Sequence, residues 1–138
     1  MSRYIPDTLR RLVATRADFR CEYCRIPEIG TFYAFQIDHI TSLKHGGTTT
    51  EDNLAYACTL CNRNKGTDLG TRLEKNGPII RFFDPRKDKW FEHFDFIEDG
   101  LIVAKSGIGE ATIKVFGINH ADSLIERRLL IASGHYSK

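Results

Sequence analysis

The segment Tyr56–Gly66, "YACTLCNRNKG", sets a Cys-x-x-Cys pair directly against Asn62 and a basic cluster. An upstream pair, Cys21 and Cys24 in "CEYC", is separated from it by 33 residues. Two such knuckles each bring two thiolates within reach of one tetrahedral ion, and Zn²⁺ held by four sulfurs is a closed site with no position left for water. The spacing points to structural zinc on Cys21, Cys24, Cys58 and Cys61, against the competing readings of two disulfides, free buried thiols or a redox Cys-x-x-Cys. Such a site would not be catalytic. It would clamp the helix carrying Asn62 to the segment that follows the first helix, and metal affinity would contribute to folding.

Outward from the knuckles, "PDTLRRLVATRADF" (6–19) places Leu9, Leu12, Val13 and Ala17 at helical spacing, with Pro6 suited to a first helical position. After "CEYC" and a loop at "RIPEIG", the β-branched and aromatic run "TFYAFQIDHI" (31–40) predicts a strand ending near Asp38. "LKHGGTTTEDN" can extend neither element, and "LAYA" predicts a brief returning strand. A helix then starts at Thr59, with Gly66 limiting it. Beyond Gly66 the chain reads as loop-rich, punctuated by Gly70, Asn76-Gly77-Pro78 and Asp84-Pro85. "HFDFIEDGLIVAK" predicts a hairpin turning at Asp99-Gly100. "GEATIKVFG" and "ADSLIERRLLIAS" predict helices, the second with an apolar face of Leu124, Ile125, Leu129 and Leu130.

At 138 residues the chain suits one compact unit plus an extension. The division expected is a core over 1–70 with the N-terminal helix and an α+β extension over 71–138 packed on it. Charge alternates along the chain. Residues 1–25 hold six Arg against three acids and residues 60–90 eight Lys/Arg against four, while residues 26–59 and 91–110 are acidic. A cationic rim around a metal-preferring centre suits a phosphate backbone, although an unevenly charged solvated surface explains the same counts. No apolar run approaches the roughly 20 residues of a membrane span. With no secretory h-region and few cysteines, a cytoplasmic setting is expected.

Between the knuckles lie "DHI" (Asp38, His39, Ile40), "HGG" (His45, Gly46, Gly47) and "DNL" (Asp52, Asn53, Leu54), followed by "CNRNKG". In this joint order residues 21–66 resemble an HNH endonuclease of the zinc-bearing, four-cysteine branch of the ββα-metal nucleases. "RFFDPRKDKWFEHFDF" is similar to the segment that follows the motif in small bacterial HNH proteins. The resemblance implies an α+β fold with a ββα-metal core stapled by zinc, and hydrolysis of DNA phosphodiesters.

The chemistry accounts for the residue types. Hydrolysis needs a deprotonated water, stabilisation of charge at phosphorus and help for the departing oxygen, which an imidazole and a divalent ion can supply together. His39 is the candidate general base, since a neutral imidazole with a pKa of about 6.5 accepts a proton at physiological pH. Asp38 is the candidate ligand of the divalent ion, sharing one centre with its neighbour if the strand bends there. Asn62 matches the family position occupied by His or Asn, and the resemblance makes its amide oxygen the second ligand of Mg²⁺ or another ion such as Mn²⁺ or Ni²⁺. Asn53 matches the middle Asn, whose implied role is to bond the loop backbone and hold His39 in register. Arg63 and Lys65 are candidate phosphate contacts, or else a solvated helix face.

His45 is either a phosphate contact or a loop residue, and His93, His120 and His135 read as surface or packing residues. Trp90, Phe91 and Phe94 read as core of the extension, with base stacking the alternative. A metal-dependent endonuclease therefore leads. A zinc-stabilised module that binds nucleic acid without cutting it is the alternative, and a protein-interaction domain a third class. The hydrophobic last helix leaves room for a dimer.

Overall fold

The computed structural model describes residues 4–29 and 34–136. Helix α1 (Asp7–Arg16) opens with Pro6 in an extended conformation just outside it, and Asp7 in its first turn complements the helix dipole. Val13 and Ala14 are buried, whereas Leu12, expected on the same apolar face, is exposed. Strand β1 (Gln36–His39) begins later than the sequence suggests, and Thr31, Phe32 and Tyr33 lie outside the described residues. It pairs antiparallel with β2 (Leu54–Ala57), placing Asp38 opposite Ala55 and His39 opposite Leu54. All four β2 residues are buried.

The connection between these strands is shaped by two glycines and two single 3₁₀ turns, Leu43–His45 and Glu51–Asn53. Gly46 adopts φ 89°, a left-handed conformation. A Cβ on Gly47 would lie 1.7 Å from the Thr41 carbonyl oxygen, so the loop closes only around a residue without one. Helix α2 (Thr59–Lys65) starts where the Cys58 sulfur accepts a hydrogen bond from the Cys61 amide at 3.4 Å. It stops at Gly66, whose φ is 54°.

The stretch read as loop-rich contains a further ribbon, β3 (Gly70–Arg72) against β4 (Ile79–Arg81), with Thr71 opposite Ile80. Its strands are three residues each, too short for alternation to stand out beside the turn residues Asn76-Gly77-Pro78. A one-turn helix α3 (Trp90–His93) leads into β5 (Phe94–Phe96), paired with β6 (Ile102–Ala104). The turn expected at Asp99-Gly100 is present within a longer loop, both residues having positive φ. Helices α4 (Gly107–Phe116) and α5 (Ala121–Ala132) complete the chain, the former capped by the Ser106 hydroxyl on the Gly109 amide at 3.1 Å.

The apolar pattern of α5 describes its packing only in part: Leu130 packs against the core and Leu124 is half-buried. Ile125 and Leu129 are 54% and 66% exposed, while Arg127 between them is fully buried. Its guanidinium donates to the carbonyls of Gly100 and Ile118 and to the Asn119 side-chain oxygen at 2.7–2.8 Å, so the helix docks through three charge-assisted bonds.

One buried cluster runs through both halves of the chain. Tyr23, Cys21 and Leu54 share it with Phe82, Phe83, Trp90, Phe94 and Phe116. Phe91, grouped with Trp90 and Phe94 from the sequence, is instead exposed. Phe116 packs edge-on against Tyr23, with centroids 4.9 Å apart, and against Phe82 at 5.1 Å. The architecture is therefore α+β, with three short antiparallel ribbons and five α-helices among the described residues. Among the described residues no helix is long and apolar enough to cross a membrane.

Candidate active site

The four cysteines converge. Their sulfurs all lie within 4.8 Å of one another, and Cys24 and Cys58 approach to 3.8 Å. A disulfide requires about 2.05 Å, whereas four sulfurs bound at about 2.3 Å to a tetrahedral ion stand roughly 3.8 Å apart. The amides of Cys24 and Cys61 point at the sulfurs of Cys21 and Cys58, each stabilising negative charge there.

Protonation in the cluster is uneven. Burial raises the Cys21 thiol, but hydrogen bonds from Cys24, Cys58 and Cys61 outweigh it and bring Cys21 well below the ordinary range. Cys24 and Cys61 are pushed well above it, chiefly by their hydrogen bonds to Cys21. Four ionised thiols fit there when a divalent ion balances them, so the donor set suits structural zinc.

A second group gathers where β1 ends. Asp38, His39 and Asn62 line one open pocket of about 280 Å³, together with Ser42, Lys44 and Gly66. The consecutive residues Ile37, Asp38 and His39 at the end of β1 all border this pocket, just before the chain bends at Ile40. The His39 Nε2 lies 3.0 Å from the Thr49 hydroxyl. Asn62 donates from Nδ2 to the Gln36 side-chain oxygen, which leaves the oxygen end of the same amide for a ligand role.

Asp38 is 4% exposed and held from two sides. Tyr23 donates its hydroxyl to Oδ2 at 2.7 Å, and the Lys65 ammonium lies 3.2 Å from Oδ1. Burial raises the Asp38 carboxyl above its usual range, and Lys65 and Tyr23 pull it back. Tyr23 is raised well above the ordinary phenol range, by burial first and by the Asp38 charge second, so it remains a donor. A carboxylate has about four lone-pair directions. Tyr23 and Lys65 use two of them, and carboxylate and amide oxygens are the donor types a hard divalent ion takes.

Asn53 stands behind this pocket and ties the loop together. Its Oδ1 accepts from the Thr41 amide at 2.9 Å, and its Nδ2 donates to the carbonyls of Thr41 and Thr48 at 2.8 Å. Its own carbonyl accepts from the Ile40 amide, next to His39.

Lys65 departs from the sequence reading. Expected beside Arg63 as a phosphate contact, it is 2% exposed, bonded to Asp38 and, at 3.0 Å, to the His39 carbonyl. The helix turns it inward while Arg63 remains exposed. His45 is exposed and does not line the pocket. Lys44, Tyr23 and Thr49 were not singled out from the sequence. Tyr23 had a visible signal, an aromatic inside a metal knuckle, but its partner Asp38 lies fifteen residues away and only the fold joins them.

A two-stranded ribbon carrying Asp-His, followed by a helix that carries Asn and is anchored by four cysteines, defines a ββα-metal domain. Residues 21–68 match the model of the family described as HNH endonuclease. Among curated proteins the chain is similar to the Septu protein PtuB of Bacillus mycoides (strain KBAB4), 26% identical over 155 aligned positions covering 94% of this chain and 52% of that protein. The chain thus spans about half the length of this curated relative. No solved structure matches it.

Proposed function

We propose that this chain is a metal-dependent DNA endonuclease that hydrolyses phosphodiester bonds. The observation that carries the reading is the meeting of Asp38, His39 and Asn62 in one pocket inside the segment that matches the HNH family. His39 takes the proton from the attacking water, and Thr49 fixes the orientation of its ring. Asp38 and Asn62 hold Mg²⁺ or a similar ion such as Mn²⁺ or Ni²⁺. When bound, that ion supplies charge stabilisation at phosphorus and at the departing oxygen. Asn53 holds the loop that fixes His39. Lys44, on the pocket, takes the phosphate-contact role first given to Lys65, and Arg63 extends it along α2.

In this reading the four cysteines hold Zn²⁺ purely as scaffold. Residues 1–70 form the nuclease core and residues 71–138 the extension packed on it, in a cytoplasmic protein. The likeness to PtuB supports a role in a Septu-type system.

The alternative is a nucleic-acid-binding module that does not cut. It draws support from Asp38 being already paired with a buried ammonium. Supercoiled plasmid incubated with zinc-loaded protein separates the two. The nuclease reading expects nicked and linear products with added Mg²⁺, Mn²⁺ or Ni²⁺ and none without them. DNA that is retarded on a gel yet uncut under every ion supports the binding module.

A further inference from the structure

Tyr23 occupies the middle of the first knuckle, and the extension contacts that knuckle at every residue from 22 to 24. Arg86 forms an ion pair with Glu22. The Trp90 indole N–H donates to the Tyr23 carbonyl at 2.9 Å, and the Tyr136 hydroxyl to the Cys24 carbonyl at 3.1 Å. Phe116 of α4 packs on the Tyr23 ring itself. The free end of that ring reaches across the core to Asp38 Oδ2 at 2.7 Å. A fully buried ring held at its backbone and on its face has little rotational freedom, so its hydroxyl is a fixed donor.

We propose that Tyr23 is a positioning residue for Asp38, and that the C-terminal extension sets the geometry of the divalent-ion site by holding the first knuckle. The inference rests on the reading of Asp38 as an ion ligand. Partners of that kind orient a ligating carboxylate, and their loss typically costs about 10–100-fold in metal affinity. Tyr23→Phe removes the hydroxyl while leaving the ring between Phe116 and the knuckle. The extension is then a working part of the ion site, although its residues do not line the pocket.

The test is the affinity of the zinc-loaded full-length chain for Mn²⁺ alone, read from loss of the free-ion electron paramagnetic resonance signal. Zinc content and the melting transition are recorded for each variant. Tyr23→Phe is expected to bind Mn²⁺ about 10–100-fold more weakly with one zinc per chain retained. Trp90→Phe, which keeps an aromatic ring and removes the indole donor, is expected to weaken Mn²⁺ binding by a smaller factor, and it carries the test if Tyr23→Phe does not hold zinc. Loss of Mn²⁺ binding in Asp38→Asn with unchanged affinity in both other variants overturns the positioning role and leaves the ion site standing. Equal behaviour of Asp38→Asn and the unmodified chain, including no binding by either, overturns the ion-site reading itself.

Discussion

Asn53 donates twice and accepts once across the loop that follows β1. Truncation to Ala leaves the Thr41 amide and two carbonyls without that partner, at about 1–3 kcal/mol for each group that stays buried. Asn53→Ala is therefore expected to lower the denaturation midpoint of zinc-loaded protein and to depress nicking with zinc content unchanged. An unaltered midpoint would contradict the role drawn from these bonds. Lys65 gives a second prediction at this scale. Removing the ammonium strands a buried carboxylate, and breaking such a pair typically costs about 3–5 kcal/mol. Lys65→Ala should lose that much in urea unfolding, whereas Arg63→Ala, on the exposed side of α2, should stay within about 0.5 kcal/mol of the parent. The motif order singled out Asp38, His39, Asn53 and Asn62, of which the fold brings Asp38, His39 and Asn62 to one pocket and sets Asn53 bonding the loop. The direction of Lys65 was not legible, because charge type and helical spacing do not say which side of a short helix meets a buried acid.

Among the elements, the ββα unit was legible because turn residues and metal ligands punctuate it: Cys58 at the head of α2, Gly66 at its end, and Gly46-Gly47 in the connection. The β3–β4 ribbon was hidden because three-residue strands carry no periodicity of their own. Helix α5 was legible in part. Leu130 of the expected stripe packs on the core, while Ile125 and Leu129 face outward because the buried Arg127 and its hydrogen bonds also set the docked face. A pair of substitutions checks this. Leu129→Glu, at an exposed position, is expected to leave stability within about 0.5 kcal/mol. Arg127→Ala should cost about 2 kcal/mol or more, from the Gly100 and Ile118 carbonyls it would leave without that donor, while the Asn119 side-chain oxygen keeps the Ile102 amide. Thermal melts in which Leu129→Glu is the more damaging change would contradict the observed packing.

The whole molecule depends on the sulfur cluster and on a core shared between its halves. Because Cys24 and Cys61 hold their protons above the ordinary thiol range, a metal must displace those protons to bind. Apparent zinc affinity therefore rises with pH and falls as pH drops, and folding stability follows it in the same direction. A chelator titration monitored by circular dichroism is expected to remove zinc more easily at lower pH, with loss of structure accompanying loss of metal. Retention of the full fold after metal removal would contradict the clamp. The cysteine spacing announced this site, but nothing in it announced that Trp90, Phe116 and Tyr136 close over the first knuckle, since those contacts span long stretches of chain.

The claim on which the functional account rests is that His39 activates water in this pocket. The direct measurement is nicking of supercoiled plasmid in Mg²⁺ by purified protein, comparing the parent chain with His39→Ala, each carrying one zinc per chain. The account predicts that the parent nicks the plasmid and that His39→Ala loses this activity while its zinc content and melting transition are kept. Cleavage by His39→Ala at the parent rate would contradict it.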